Sequence, residues 1–274
     1  MTDLYAVIGN PIGHTKSPLI HLAFAKATGQ DIDYIPLEAP IGGFNAKVDE
    51  LRQRGGRGLN ITAPFKLDAF AYATELSEAA KLAGAVNCLG FQGARVTGQN
   101  YDGVGLTNDI QRNLNCSMQG KRVLVLGAGG AARGALQPFL EQRPQRLVVV
   151  NRRVDKAQAL AAQFAPYGPV TAMGYDALKG EEPFDLVVNA TSASLRGEAP
   201  PISVASFKPD CLAYELAYGK GLTPFLQVAR EAGVRHVADG VGMLVEQAAE
   251  AFEWWRGVRP DTKPLIDTLT IPLL

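Results

Sequence analysis

The sequence predicts an α/β chain in two lobes, a mixed N-terminal α/β lobe followed by a domain built on a parallel sheet. Three observations predict it. The 274 residues are about twice an average domain, at roughly 150 residues each. Short apolar runs alternate with helical stretches, more densely after Lys121, and strands alternating with helices of this length favour parallel sheet with helices on both faces. A glycine-rich turn, Gly127 to Ala132, follows an apolar strand and opens a helix.

Taken in order, Leu4 to Ile8 is an apolar strand that runs into the Gly9-Asn10-Pro11 turn. Ser17-Pro18 opens a helix that Gly29 closes, with Ser at the N-cap, Pro at the first helical position and Gly past the end. Phe44, Val48 and Leu51 mark a second helix, stopped by Gly55-Gly56. Leu59 to Thr62 is a short strand, and a helical stretch follows from about Pro64 to Gly84. Val86 to Phe91 and Arg95 to Gln99 flank a Gln92-Gly93-Ala94 turn as a hairpin. The domain break falls near residues 103 to 120. Beyond it come strand Arg122 to Leu126, the glycine turn, and a helix to about Arg143, where Pro144 blocks continuation. Strand Arg146 to Val150, helix Asp155 to Phe164, strands Asp185 to Asn189 and Cys211 to Tyr214, and helix Thr223 to Ala232 follow. Asp239-Gly240 leads into a long helix to about Trp255, and Thr262 to Leu269 forms a last one.

Composition narrows the function. Lys plus Arg and Asp plus Glu are 27 each, so no general basic field draws the chain to nucleic acid or an anionic membrane. No segment reaches the ~20 apolar residues of a membrane span, and the start lacks a signal-peptide pattern. Cys88, Cys116 and Cys211 are isolated and odd in number, which argues for reduced thiols in a cytoplasm and against disulfides. With only His14, His21 and His236 as histidines, no metal site is expected. His14 and His21 are read as turn or packing residues, and Trp254 and Trp255 as packing.

Gly127-Ala128-Gly129-Gly130-Ala131-Ala132 matches G-x-G-x-x-G/A in its strand-turn-helix context. The first Gly allows the tight turn, the second admits a pyrophosphate to the backbone, and the small last residue packs helix on strand. Phosphates then meet a helix N-terminus, where free N–H groups and the dipole favour anions. The domain is therefore read as Rossmann-type, with Gly127, Ala128, Gly129, Gly130 and Ala131 binding a dinucleotide. The next strand ends in Asn151-Arg152-Arg153, with Lys156 close behind. Basic residues there suit the extra phosphate of NADP, where an acidic one would read the NAD ribose. The plainer alternative is a solvated, charged helix start.

Outside that domain, polar motifs recur at Thr15-Lys16-Ser17, at Asn60-Ile61-Thr62 with Lys66, at Asn87 and at Asn100-Tyr101-Asp102-Gly103. Singly, each has a plain reading: Ser17 as a cap, Asn60 and Thr62 ending a strand, Asn87 in a turn, Lys66 and Asp102 as a surface ion pair. Their joint occurrence argues against the plain readings. The blocks Gly9 to Pro18, Asn60 to Lys66, Gly84 to Asn87, Asn189 to Ser192, Tyr218 to Phe225 and Asp239 to Gln247 resemble, in order, the signature blocks of the shikimate dehydrogenase family.

The resemblance implies an NADP-dependent enzyme interconverting 3-dehydroshikimate and shikimate on the route to chorismate and the aromatic amino acids. It implies Lys66 and Asp102 as the catalytic pair. Thr15, Ser17, Asn60, Thr62, Asn87, Tyr218 and Gln247 join that pair in holding substrate, and Thr191, Gly240 and Met243 lie by the cofactor. It divides the chain into a substrate-binding and catalytic lobe at 1–103, a Rossmann NADP-binding domain at 104–239, and C-terminal helices at 240–274 that pack back on the first lobe. The partner is then a small-molecule substrate, with neither nucleic acid nor membrane, for a cytoplasmic monomer or homodimer. Moving a hydride leaves an oxygen that must gain or lose a proton, and Lys66, oriented by Asp102, has the chemistry to handle it. Thr15, Tyr101, Ala63 and Cys88 stand where the family pattern has serine, threonine, valine and threonine. Thr15 and Tyr101 bear on the choice between shikimate and quinate, so the rival readings are a paralogue of altered preference and a dinucleotide sensor without turnover.

Overall fold

The structure, a computed structural model, describes residues 2–273. Two compact units emerge, one of residues 1–105 with 245–265, the other of 106–244 with 266–274.

The first unit begins with β1 (Asp3–Gly9), α1 (Ser17–Thr28), β2 (Ile32–Glu38), α2 (Phe44–Gln53) and β3 (Gly56–Ile61). It continues through α3 (Lys66–Tyr72), β4 (Glu75–Leu76), α4 (Glu78–Ala83), β5 (Cys88–Gln92) and β6 (Arg95–Gln99). The strands form one mixed sheet in the order β2-β1-β3-β5-β6-β4. Strands β1, β2 and β3 are parallel, and β5 and β6 form the expected antiparallel hairpin. Alternation along β1 sends Ala6 and Ile8 to one core with Phe44, Val48 and Leu51 of α2. It sends Tyr5 and Val7 to the opposite core with Ile12, Tyr34 and Trp255.

Three local expectations are corrected here. Strand β2 went unforeseen because Pro36 and its mixed burial weaken the pattern; proline is tolerated because β2 is an edge strand. Ser17 is the first helical residue of α1, not its cap, which is Lys16; the Ser17 N–H instead donates to Thr15 Oγ1 at 3.3 Å. The helical stretch expected from Pro64 to Gly84 is interrupted by β4. There the Thr74 N–H donates to the Val96 carbonyl at 2.8 Å and the Ser77 N–H to that of Gly98 at 3.0 Å. Ser77 then restarts the helix by accepting from the Ala80 N–H at 3.2 Å.

Helix α5 (Asp102–Asn108), followed by a π-helical turn (Asp109–Asn113), carries the chain into the second unit. That unit holds β7 (Arg122–Leu126), α6 (Gly130–Glu141), β8 (Arg146–Val150), α7 (Val154–Phe164), β9 (Val170–Met173) and α8 (Tyr175–Leu178). Then come β10 (Phe184–Asn189), β11 (Phe207–Glu215), α9 (Pro224–Glu231) and β12 (His236–Ala238). All its strand pairs are parallel, in the order β12-β11-β10-β7-β8-β9. Every residue of β7 is buried, as in a strand covered on both faces. Order reverses between β7 and β10, the switch point at whose carboxyl ends ligands bind in doubly wound sheets. Strands β9 and β12, short and at the edges, were not foreseen.

The chain ends with α10 (Val241–Arg256) and α11 (Lys263–Leu269). Residues 245–265 belong to the first unit, while residues 266–274 belong to the second, where Leu273 packs against its core. The assignment of all of 240–274 to the first lobe is corrected accordingly. Trp255 stacks on Tyr5 with centroids 4.7 Å apart and donates from Nε1 to the Leu89 carbonyl at 3.1 Å. Glycines at 58 and 90 make room for the two indoles: a Cβ on Gly58 would lie 2.5 Å from Trp255, and one on Gly90 2.6 Å from Trp254.

Candidate functional site

Within the first unit, the site is assembled from the ends of strands and starts of helices. Lys66 opens α3 and Asp102 opens α5. The Lys66 ammonium donates to Asp102 Oδ2 at 2.5 Å, with the two side chains 35% and 17% exposed. The other carboxylate oxygen accepts from Asn87 Nδ2 at 2.9 Å. That amide also reaches Gln247 Oε1 on α10 at 3.4 Å, and Asn87 Oδ1 accepts from the Tyr101 N–H at 2.9 Å. The Asp102 N–H is held by Asn100 Oδ1 at 3.1 Å, while Asn100 itself donates to the Ala85 carbonyl at 3.0 Å. Lys66, Asn87, Asp102 and Gln247, spread over 181 positions of sequence from 66 to 247, therefore form one linked cluster.

A second group lies at the β1–α1 and β3 ends. Thr15 Oγ1 donates to Ser17 Oγ at 3.2 Å, and Asn60 Oδ1 accepts from the Tyr34 hydroxyl at 2.7 Å. Asn60 Nδ2 and both ring nitrogens of His21 are buried without a hydrogen bond of ordinary geometry, and the Asn60 side chain interacts with the His21 ring. His21 stacks on Tyr34 at 4.3 Å and 6°; full burial pushes its pKa down to about 3, so it is a neutral packing residue. Thr62 is exposed beyond β3. Tyr101 turns its ring to Trp254, edge to face at 6.2 Å, so its extra bulk is absorbed by packing within the unit.

In the second unit a groove of about 560 Å³ opens over the switch point. Gly127, Ala128, Gly129, Gly130 and Ala131 form one side, and Asn151, Arg152 and Thr191 also line it. The glycines fit the part expected of them. Gly127 has φ of 106°, and a Cβ there would lie 3.0 Å from the Ala190 carbonyl oxygen. At Gly129 and Gly130 a Cβ would meet nothing, so their backbone at the start of α6 is open to an approaching phosphate. Ala132 is fully buried, where close packing of helix on sheet requires a small residue.

The cationic cluster is not uniform. Arg152 lines the groove, whereas Arg153 is paired with Asp155 at 2.7 Å; neither Arg153 nor Lys156 belongs to its lining. Tyr218, Gly240 and Met243 also lie outside it. Tyr218 is 42% exposed. Gly240 is pressed against the Leu216 carbonyl, with no space for a side chain, and the Met243 N–H donates to the Tyr214 hydroxyl at 3.3 Å. Sequence reasoning missed Tyr175, Arg196, Leu216 and Ala217, which line the groove but sit in no recognisable motif. A further hollow of about 490 Å³ in the first unit, lined by Tyr5, Arg57, Arg95, Trp254, Trp255 and Arg256, holds none of the expected residues. Its arginines are committed to Asp3 or Glu75. Among the described residues no cluster could hold a metal ion, and no helix is long and apolar enough to cross a membrane.

The chain resembles known proteins over nearly all of its length. Residues 7–89 match the shikimate dehydrogenase substrate binding domain, residues 109–196 the shikimate / quinate 5-dehydrogenase model, and residues 240–270 the shikimate 5'-dehydrogenase C-terminal domain. A shikimate dehydrogenase (NADP(+)) of Chromobacterium violaceum is 57% identical over 269 residues, 98% of each chain. The crystal structure of an Ael1 enzyme from Pseudomonas putida matches all of both chains at 55% identity, with a TM-score of 0.96. The shikimate 5-dehydrogenase of Thermus thermophilus, solved with NADP(H) and shikimate, covers 98% of both chains at 30% identity, with a TM-score of 0.85. With three family models spread along its length and near-complete coverage by a relative of this identity, the chain belongs to the shikimate dehydrogenase family.

Proposed function

We propose that this protein is an NADP-dependent shikimate dehydrogenase that reversibly reduces 3-dehydroshikimate to shikimate, with Lys66 and Asp102 as its acid/base pair. The observation that carries this reading is the linked cluster of Lys66, Asp102, Asn87 and Gln247. Shikimate presents a carboxylate and three hydroxyls, and a polar ligand of this kind is selected by groups that are left unpaired without it. The Asn60 amide and the Thr15 and Ser17 hydroxyls, which pair with each other at 3.2 Å, supply polar groups for such a ligand, joined by Thr62 and Tyr218.

When bound, NADP supplies or accepts the hydride. The residues of the chain do the rest. In the reductive direction the Lys66 ammonium donates a proton to the oxygen that becomes a hydroxyl, and in the oxidative direction the neutral Lys66 amine takes that proton back. Asp102 holds that ammonium at 2.5 Å and is itself fixed by Asn87, so the donor is aligned before substrate arrives. The Lys66 charge also stabilises negative charge building on the oxygen. Gly127, Ala128, Gly129, Gly130 and Ala131 would hold the pyrophosphate and Arg152 the 2′-phosphate. Asn151, Arg153, Lys156 and Thr191 would flank the cofactor, with Gly240 and Met243 toward its nicotinamide end. The place of action is the cytoplasm, as a monomer or homodimer, in the synthesis of chorismate and aromatic amino acids.

The test is NADPH formation by purified protein with shikimate and quinate, each paired with NADP+ and NAD+. Turnover with shikimate and NADP+ well above the other three pairs is expected. Preference for quinate or NAD+, or binding of NADP+ without turnover, would overturn the assignment.

A further inference from the structure

Glu215, the last residue of β11, is a fully buried carboxylate that the proposed chemistry does not use. Its partners are all neutral. Asn189 Nδ2 donates to Oε2 at 2.9 Å and the Thr223 hydroxyl at 3.1 Å. The Ser194 hydroxyl donates to the same oxygen, and the Ala217 N–H donates to Oε1 at 3.2 Å. A buried charge without a counter-ion is costly, and burial raises this carboxyl above its ordinary pKa while the donors pull it back. The arrangement makes sense as a matching of donors to acceptors: four donors converge, and only a carboxylate accepts them all without adding a donor of its own.

The donors come from the structures that wall the groove. Asn189, fixed by Glu215, uses its Oδ1 to accept from the Thr191 N–H at 3.1 Å and hydroxyl at 2.7 Å. The Thr191 hydroxyl in turn accepts from the Ala193 N–H at 3.2 Å. Thr191 and Ala193 line the groove on one side, and Ala217 lines it after β11. We propose that Glu215 is a positioning residue for the dinucleotide, tying the 190–196 loop and the 216–217 segment to one buried acceptor so that both walls are shaped before NADP binds. The inference rests on the reading that NADP occupies this groove.

The test is the affinity of the full-length protein for NADP+ by calorimetric titration, with kcat, KM for shikimate and thermal midpoint measured alongside. Glu215→Gln keeps size but brings an amide donor among four donors, so the two walls are no longer held in one arrangement and a loss of about tenfold in NADP+ affinity is expected. KM for shikimate should stay unchanged. If that variant does not fold, Ser194→Ala removes one tether outside the groove lining and should weaken NADP+ by about threefold, a loss at the low end for one hydrogen bond. A folded variant with a lowered thermal midpoint and wild-type NADP+ affinity would show Glu215 to be structural only and overturn the proposal. Wild-type protein that does not bind NADP+ at all would overturn the functional reading and this inference with it.

Discussion

Replacing Lys66 with Met and Asp102 with Asn, singly and together, tests whether the two act as one catalytic unit. The ion pair is partly exposed, at 35% and 17%, so it contributes no more than about 1 kcal/mol to folding and the variants should remain folded. The kinetic effect is much larger. Loss of a positioned acid/base lowers turnover by about 10²- to 10⁴-fold, or about 2.7–5.4 kcal/mol of barrier at 1.36 kcal/mol per tenfold. Asp102→Asn keeps an oxygen for Asn87 Nδ2 but removes the charge that holds the ammonium at 2.5 Å. A charge-assisted hydrogen bond is worth about 1.5–3 kcal/mol, so this variant should lose roughly 10- to 150-fold. If Asp102 works only through Lys66, the double variant falls no further than Lys66→Met alone. Initial rates of NADPH formation at saturating shikimate, with circular dichroism to confirm folding, measure each corner of the cycle. Losses that multiply would refute the coupling, and a folded Lys66→Met within about threefold of wild type would refute the acid/base role itself.

Arg152→Ala should weaken NADP+ by about tenfold or more, the worth of one charge-assisted contact, and leave NAD+ nearly untouched; equal losses by titration would remove the 2′-phosphate assignment. Gly127→Ala should destabilise the chain by about 1–3 kcal/mol in urea, because φ of 106° and the Ala190 oxygen at 3.0 Å both oppose a Cβ. An unchanged midpoint would show that the turn relaxes freely. His21 has a folded pKa of about 3 against about 6.5 unfolded, so the unfolded chain takes up the proton first. Its contribution is present above that unfolded value and is lost on acidification, approaching about 1.4 kcal/mol per pH unit below about pH 5.5. His21→Phe, which can keep the stack on Tyr34, should lack that part of the slope, and parallel pH profiles for the two proteins would contradict it.

The repeat of strand and helix after Lys121 was readable because the central strands β7, β8 and β10 are short and almost wholly buried, and β7 and β8 are each followed by a helix of distinct period. Edge strands β2, β9 and β12 were not, since a strand with one neighbour needs less apolar surface and β2 even carries Pro36. The break between α3 and α4 was equally hidden, because Thr74 and Ser77 are diverted by a strand more than 20 residues later in sequence. At the site, Lys66, Asn87, Asp102 and Gln247 came from local motifs, and their convergence is set by tertiary structure. Arg152 and Arg153 look alike in sequence, yet Asp155 occupies only the second. Glu215 carries no motif at all; its part depends on four donor residues, Asn189, Ser194, Ala217 and Thr223, that only the folded chain brings to one carboxylate.

The return of residues 245–265 to the first unit has a consequence for synthesis on the ribosome. The unit whose strands emerge first cannot complete its core until Trp255 arrives to stack on Tyr5, followed by Arg256 to pair with Asp3. The whole parallel sheet of the other unit has by then been made. Because both tryptophans of the chain lie at this closing step, the indole emission of a nascent or refolding chain reports the completion of the first unit, and the second unit assembles without contributing to it.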